Sequence, residues 1–415
     1  MTQYAFLFGN HPTLSLAELL SFLTNNKIVF GKYELLGDIL LIDIQKTPSY
    51  ITKLQNELGG VIKIFAIKAN FKGKIYEIEK ILTLEKLMKE FFAQKEHKIN
   101  FGISVYSEPD PTYAEMTWLN NFAYSIKRRL KDKYSIRYIE DRASKLSSVQ
   151  VERNRLIDTG AEIALIRDCD NYYIGKTLSV QDYEAYSERD WDKPSPDAKS
   201  GMLPPKLAQI LLNLARGNRT KTIYDPFCGS GIVLQEALLL DLSIYGSDIS
   251  EEAIKNTINN LDWFIKLKKL PKVNLQTHIK EADAQKIKWE KLNSAETTIV
   301  TEPYLGPPLK KILFGRDAEQ TAVELGALYI NFFRNMRKNF SSVKRIGMVF
   351  PIFKTRDGLR YVDILDEIKQ IGYTPQQILD TDLIKKDSSI SKRGGFLYSR
   401  PDQLIIRELF VFEKK

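Results

Sequence analysis

The apolar positions along the chain change rhythm twice. Residues 4–8 are a short unbroken apolar run, the His11-Pro12-Thr13 turn follows, and Leu14, Leu16, Leu19, Leu20 and Leu23 then recur along one helical face. Residues 28–35 and 38–44 are β-rich and are parted by Leu36-Gly37, a hairpin signal. A second helical stretch over 50–58 stops at Gly59-Gly60, and 61–67 closes the unit as a strand. Past residue 70 the pattern loosens. It predicts a lysine-rich helix near 78–94, an alternating strand over 101–107 and an amphipathic helix over 114–131. A strand at 135–140, a short helix at 149–159 and a closing hairpin from 161–167 and 171–179 follow. From about residue 200 strand and helix alternate. The pattern reads as helix 203–215 behind Pro204-Pro205, strand 222–227, helix 232–240, strand 242–246 running on to Asp248, and helix 251–260. Next come a stretch at 273–277 leading to Ala282-Asp283, strand 297–300, helix 322–335, strand 345–350, helix 361–371 and late strands near 375–379 and 404–412.

Alternating strand and helix implies a mostly parallel sheet with helices on both faces, so the C-terminal half is expected to be α/β and Rossmann-like. The strand–helix–strand–strand–helix–strand order of residues 1–70 is the ferredoxin-like pattern, which by itself hosts many functions. The expected organisation is a ferredoxin-like domain at 1–70, a second α+β domain at 71–180, a linker at 181–200 and the Rossmann-like domain at 201–415. The linker carries Tyr183, Tyr186 and Trp191 among charges, then Pro194 and Pro196, a composition suited to a segment that packs against something.

Composition narrows the class. The chain has 415 residues, 43% hydrophobic and 27% charged, as in soluble globular proteins with real cores. It has no apolar run of about 18 residues, so no membrane span is expected, and its N-terminus does not read as a secretory signal. Two distant cysteines, Cys169 and Cys228, fit a reducing cytoplasm. His11, His97 and His278 form no spaced ligand set, so no metal site is expected. A net charge of +9 is compatible with a nucleic-acid partner without requiring one. Between residues 121 and 160 ten Lys/Arg face five Asp/Glu, with Tyr124, Tyr134 and Tyr138 interleaved. That segment reads either as an RNA surface, cations for phosphates and aromatics for bases, or as a solvated helix face over core tyrosines.

The strongest chemical signal is Asp225-Pro226-Phe227-Cys228-Gly229-Ser230-Gly231, where a strand turns into a helix. Glycines there let backbone approach a ligand, and the helix start offers free N–H groups. A dinucleotide fingerprint would need glycine where Leu234 stands, and a P-loop ending in Gly175-Lys176-Thr177 would need glycine at Asp170. Asp248 follows the next strand, where a carboxylate can accept both ribose hydroxyls of an adenosine ligand, and Asp283 follows the third, where one could accept from the adenine amino group. Three successive strand ends form an ordered set, because ligands bind outside the carboxyl ends of such sheets. The expected cofactor-binding residues are Asp225, Pro226, Phe227, Gly229, Gly231, Asp248, Ile249, Asp283 and Ala284. Cys228 reads as a small packed residue rather than a nucleophile.

The fourth strand end, Thr301-Glu302-Pro303-Tyr304-Leu305-Gly306, resembles the amino-methyltransferases, whose signature here is Asp/Asn-Pro-Pro-Tyr, often followed by Gly. The resemblance implies S-adenosylmethionine as methyl donor and an exocyclic base NH2 as acceptor. An aromatic amine is a poor nucleophile, and an oxygen accepting from its N–H takes up the developing charge. An aromatic side chain stacked on the base holds it in line, and the base must be unstacked to enter. Two alignments compete. One puts Glu302 in the acidic position and keeps Gly306 in register; the other overlays Pro303-Tyr304 on Pro-Tyr and puts Thr301 there. The first is favoured, making Glu302, Pro303 and Tyr304 the expected catalytic set.

Over nearly its whole length the chain resembles the THUMP-domain tRNA guanosine-10 N2-methyltransferases. The residues that carry this are the Asp225–Gly231 loop, Leu7-Phe8-Gly9-Asn10 before a Leu-rich helix, and Ser200-Gly201-Met202-Leu203-Pro204-Pro205-Lys206-Leu207-Ala208. Arg393-Gly394-Gly395-Phe396 and Tyr398-Ser399-Arg400-Pro401 look like a family loop near the active site and read equally well as a hairpin turn. The resemblance implies a cytoplasmic, monomeric RNA (guanine-N2-)-methyltransferase. Its THUMP domain, here 71–180, would grip tRNA through the basic segment 121–160, with the target base in the methyltransferase cleft. Some relatives require a small activating subunit. Two other readings stay open: a DNA or rRNA amino-methyltransferase acting on adenine or cytosine, and an inactive tRNA-binding protein with a degenerate pocket.

Overall fold

A computed structural model describes residues 1–92, 98–141, 143–195, 202–380, 389–401 and 403–415. His97, Arg142, Pro196, Ser200 and Gly201 lie outside the described residues. The chain divides into two compact units: Met1–Pro12, Ile28–Asn56 and Val61–Tyr183 form one, and Thr13–Lys27, Glu57–Gly60 and Glu184–Lys415 the other.

The first unit is built on an eight-stranded mixed sheet. Its strands are β1 (Thr2–Phe8), β2 (Phe30–Leu36), β3 (Ile39–Ile44), β4 (Val61–Lys72), β5 (Lys98–Tyr106), β6 (Ser135–Tyr138), β7 (Gly160–Asp168) and β8 (Asn171–Val180), in the order β2-β3-β1-β4-β8-β7-β5-β6. β4 pairs β1 on one side, Tyr4 opposite Ala66, and β8 on the other, Phe65 opposite Thr177. The sheet is therefore unbroken across residue 70, and the boundary expected there falls inside β4. Helix Tyr113–Leu130 starts at a capping box in which Thr112 and Glu115 exchange hydrogen bonds. Leu119, Phe122, Ala123, Ile126 and Leu130 give it a buried stripe against Phe101, Ile163 and Ile174 of the sheet. The lysine-rich helix expected over 78–94 is instead a chain of short turns, Ile75–Glu77, Ile78–Ile81, Leu84–Lys86 and Leu87–Phe91. Its buried residues Ile75, Ile78, Leu82, Leu87 and Phe91 include a step of five that no single α-helical face holds.

The second unit carries β9 (Thr222–Asp225), β10 (Ser243–Asp248), β11 (Ile279–Glu281), β12 (Thr297–Thr301), β13 (Arg345–Thr355), β14 (Gly358–Tyr361), β15 (Tyr373–Pro375), β16 (Phe396–Tyr398) and β17 (Ile405–Lys414). The sheet order is β11-β10-β9-β12-β13-β17-β15, with β14 on β13 and β16 on β17. β11 to β13 run parallel, and β17 inserts antiparallel between β13 and β15. The chain winds outward from β9 to β11 and then crosses back to β12, so the topological switch point lies between β9 and β12. Helix Gly315–Asn339 packs Tyr329, Phe332, Phe333 and Met336 onto Ile299, Ile346, Phe350 and Phe412. Residues 273–277 run through the helical turn Leu275–His278 into β11, the strand just before Ala282-Asp283. One expectation changes here. The helix expected from 361 starts at Leu365, because Gly358, at φ +124°, turns the chain into the β13–β14 hairpin first.

One N-terminal segment belongs to this second unit for a visible reason. Glu18 is fully buried and accepts from the backbone N–H groups of Gly59 and Gly60, both at 2.8 Å, and from Asn213 Nδ2 at 2.7 Å. Burial pushes its carboxyl up to about 7 against these hydrogen bonds. No helix among the described residues is long and apolar enough to cross a membrane.

Candidate active site

Hydrogen bonds stitch successive strand ends of the second unit together at the switch point. At the end of β9, Asp225 accepts from Thr301 Oγ1 at the end of β12, at 2.6 Å, and from the Phe227 N–H at 3.1 Å. Asp248, closing β10, accepts from the N–H groups of Gly229 and Ser250, both at 3.0 Å, and its own carbonyl accepts from the Ala282 N–H at 2.8 Å. Gly229 and Gly231 stand at φ +51° and +85°, a region that favours glycine. A Cβ on Gly231 would press on Thr257 at 3.2 Å, while one on Gly229 would meet only Phe227 O at 4.0 Å. Thr257 Oγ1 donates to the Gly229 carbonyl at 2.7 Å, and Asn260 Nδ2 to the Ser230 carbonyl at 2.9 Å. Helix Glu251–Leu267 thus braces the loop from behind.

The expected cofactor residues differ in exposure. Phe227, Gly229 and Asp248 are half-buried and Ile249 is 69% exposed, while Gly231 is buried as the N-cap of helix Ile232–Leu239. Each Asp248 carboxylate oxygen uses one lone pair within the protein and keeps another for a ribose hydroxyl. Asp283 is partly committed, accepting from Gln285 N at 2.9 Å with Lys286 at 3.4 Å. Asp225, Pro226 and Ala284 are buried. Asp225 is 2% exposed and ties β9 to β12, and the Ala284 carbonyl is taken by Asn335 Nδ2 at 3.0 Å. They shape the site from inside, because a carboxylate that receives two hydrogen bonds can be buried where a ligand-facing one would stay open. Burial raises the Asp225 carboxyl to about 7, with Asp248 and Glu302 close enough to add to the rise. Burial also pushes the Cys228 thiol well above its ordinary value, which fits a packed residue.

The catalytic candidates are adjacent to this loop. Glu302 follows β12 and is 14% exposed at its side chain. Arg407 on β17 donates to it through Nε at 2.7 Å and through Nη2 at 3.3 Å. Burial raises the Glu302 carboxyl and the Arg407 charge opposes that rise. Pro303 is buried, whereas Tyr304 is 56% exposed, its carbonyl held by the buried Tyr329 hydroxyl at 2.7 Å. Arg407 was not legible in sequence, since a charged residue in a late strand carries no motif. Thr257, Asn260 and Tyr329 were missed because uncharged residues on helix faces carry no motif either. The Arg393–Phe396 segment forms a hairpin on β17. Arg393 pairs there with Glu408, the neighbour of Arg407, and donates to Val362 O at 2.7 Å. In the basic segment 121–160 the tyrosines are engaged: Tyr124 donates to Glu140 at 2.7 Å, Tyr138 donates to Asn120 at 2.6 Å, and Tyr134 packs on the core. Arg128, Arg129, Lys131, Lys133 and Arg137 are exposed.

An open helix start with glycines in front of it, a carboxylate at the second strand end and an exposed aromatic at the fourth fit a nucleoside-bearing cofactor facing a planar acceptor. Residues 193–357 match the sequence model of a family described as RMKL-like, methyltransferase domain (UPF0020). Residues 193–357 of the second unit thus resemble a methyltransferase domain. A tRNA (guanine(10)-N2)-dimethyltransferase of Pyrococcus abyssi is 38% identical over 97 residues, 23% of this chain and 29% of the relative. One of Methanocaldococcus jannaschii is 33% identical over 139 residues, 32% and 37% of the two chains. The chain thus spans about a third of the length of these relatives. TrmN from Thermus thermophilus shares the fold over 100% of both chains, with a TM-score of 0.52 at 14% identity.

Proposed function

We propose that the protein transfers a methyl group from S-adenosylmethionine to the exocyclic N2 of a guanosine in tRNA, at the position 10 given in the names of the two relatives. The observation that carries the amine as acceptor is the Glu302–Tyr304 step: an arginine-pinned carboxylate, then an exposed aromatic ring, next to the glycine loop. Guanosine and tRNA come from the relatives' names, and from reading the first unit as ferredoxin-like and THUMP parts with an exposed cationic helix face.

When bound, the cofactor supplies an electrophilic sulfonium methyl. Asp248 orients it by accepting from the ribose hydroxyls, and the Gly229 and Gly231 backbone lets it approach the helix start. Tyr304 stacks on the flipped base. Glu302 and the Pro303 carbonyl accept from the amino group and stabilise the positive charge that grows on nitrogen. Arg407 occupies one lone pair on each Glu302 oxygen and fixes the carboxylate plane, leaving the other lone pairs to the substrate.

The test is methyl transfer from labelled S-adenosylmethionine to bulk tRNA, with rRNA and duplex DNA alongside, followed by nucleoside identification. N2-methylguanosine in tRNA is the expected product. Label in methyladenine or methylcytosine would move the acceptor to another base, and cofactor binding without transfer to any nucleic acid would sink the activity.

A further inference from the structure

The chain that leaves Tyr304 forms an exposed lip whose residues take no part in the reaction just described. Ile312 is 45% exposed, Phe314 58% and Leu359 41%. Leu313 bridges Thr355, which sets this loop against the β13–β14 hairpin. The Arg356 guanidinium lies over the Phe314 ring, 4.8 Å from its centre. Asp357, beside it, is committed elsewhere: it accepts from Arg360 at 2.6 Å and from Thr355 Oγ1 at 2.9 Å. Residues 304–316 contain Lys310, Lys311 and Arg316 and no Asp or Glu. Among the described residues these three and Arg356 form no ion pair, whereas Arg360 in the same hairpin is paired with both Glu319 and Asp357.

The lip is a built surface. Gly306 turns it at φ +99° against Thr321 and Phe353, and Gly315 lies so close to Asp357 that a Cβ there would stand 2.6 Å from its carboxylate. An exposed aromatic face shared with a guanidinium, beside cations that form no ion pair among the described residues, suits a nucleobase with its phosphates. An apolar protein partner would leave those cations desolvated and unpaired. Resting on the reading of the site as an RNA amino-methyltransferase, we propose that the lip holds the nucleotide adjoining the target. Its base stacks on the Phe314–Arg356 pair and its phosphates meet Lys310 and Lys311.

The experiment uses the full chain and a tRNA transcript. Phe314→Trp places a reporter on the lip, and tRNA is expected to quench its added emission relative to wild type. Phe314→Ala and Arg356→Ala are each expected to raise KM for tRNA about tenfold or more, the scale of one lost base stack, with cofactor affinity unchanged. Phe314→Tyr should keep the wild-type KM, which separates lost stacking from a folding defect. Wild-type KM in both alanine variants, with no quenching in Phe314→Trp while the parent protein methylates tRNA, overturns the lip and spares the function. Quenching by tRNA in a protein that methylates no RNA keeps the lip as a nucleotide-binding surface but overturns the function and, with it, the placement of that nucleotide beside a target base. Neither quenching nor methylation overturns both.

Discussion

Each unit buries an ion pair at 2.7 Å, Lys63–Glu162 in the first and Arg407–Glu302 in the second. The Glu162 carboxylate is fully enclosed and accepts from Lys63, from Ser104 Oγ at 2.6 Å, from Thr177 Oγ1 at 2.7 Å and from Tyr106 at 3.3 Å. Lys63 also donates to Leu146 O at 2.6 Å. The network ties β4, β5, β7 and β8 together and leaves little capacity for a substrate. Glu302 has Arg407 as its sole donor among the described residues, keeps partial exposure and stands next to the exposed Tyr304. Burial of charge therefore does not mark a site. Unspent hydrogen-bonding capacity at a strand end does.

Breaking each pair should give opposite phenotypes. Lys63→Met strands Glu162 without its cation in a sealed interior, at a cost of about 3–5 kcal/mol. The denaturant midpoint of the first unit should fall accordingly, with cofactor affinity unchanged. Glu302→Gln should lower turnover by roughly 10²–10³-fold and leave S-adenosylmethionine affinity nearly intact, read by single-turnover transfer beside calorimetric binding. If Glu302→Gln lost stability as Lys63→Met does and kept its turnover, the two pairs would be alike and the comparison would collapse. Asp248→Ala sharpens the contrast within the second unit. It should weaken cofactor affinity by roughly 10- to 100-fold, the scale of one or two hydrogen bonds to a charged group. Turnover at saturating cofactor should change far less.

The legible parts of this molecule were those in which sequence neighbours are also spatial neighbours. The glycine loop at 225–231, the strand-to-Asp248 step and Glu302-Pro303-Tyr304 are local, and the structure sets them side by side at the carboxyl ends of three adjacent strands. Long amphipathic helices such as Tyr113–Leu130 were legible because the 3.6 period repeats several times. What escaped depends on distant partners. Arg407 meets Glu302 across 105 residues, and β4 joins the sheet of 71–180 through pairing with β8, Phe65 opposite the distant Thr177. Asp225 read as a ligand contact because its position in the motif is visible in sequence and its turn inward to Thr301 is not. Glu18, inside a segment grouped by sequence with residues 1–70, belongs to the second unit through Gly59, Gly60 and Asn213.

The smallest effect tests the inward turn of Asp225. Its carboxyl is pushed up to about 7 by burial against the hydrogen bonds from Thr301 and Phe227, so the folded state holds a proton that the unfolded chain releases near pH 4. The stabilisation is complete at low pH and is lost as pH rises towards and through about 7. The melting temperature of the second unit should therefore fall between pH 5 and pH 8. Asp225→Asn keeps the oxygen that accepts from Thr301 and from the backbone but removes the titration, so the decline should become shallower. The gain at pH 8 should be about 2–4 °C per kcal/mol recovered. The slope should not vanish, because burial raises Glu18 and Glu236 to about 7 as well and both lose stabilisation in the same direction. An unchanged slope would mean that Asp225 is ionised in the folded protein. The strand-end carboxylates would then be a charged cluster held by its hydrogen bonds, and the neutral bridge between β9 and β12 would have to be abandoned.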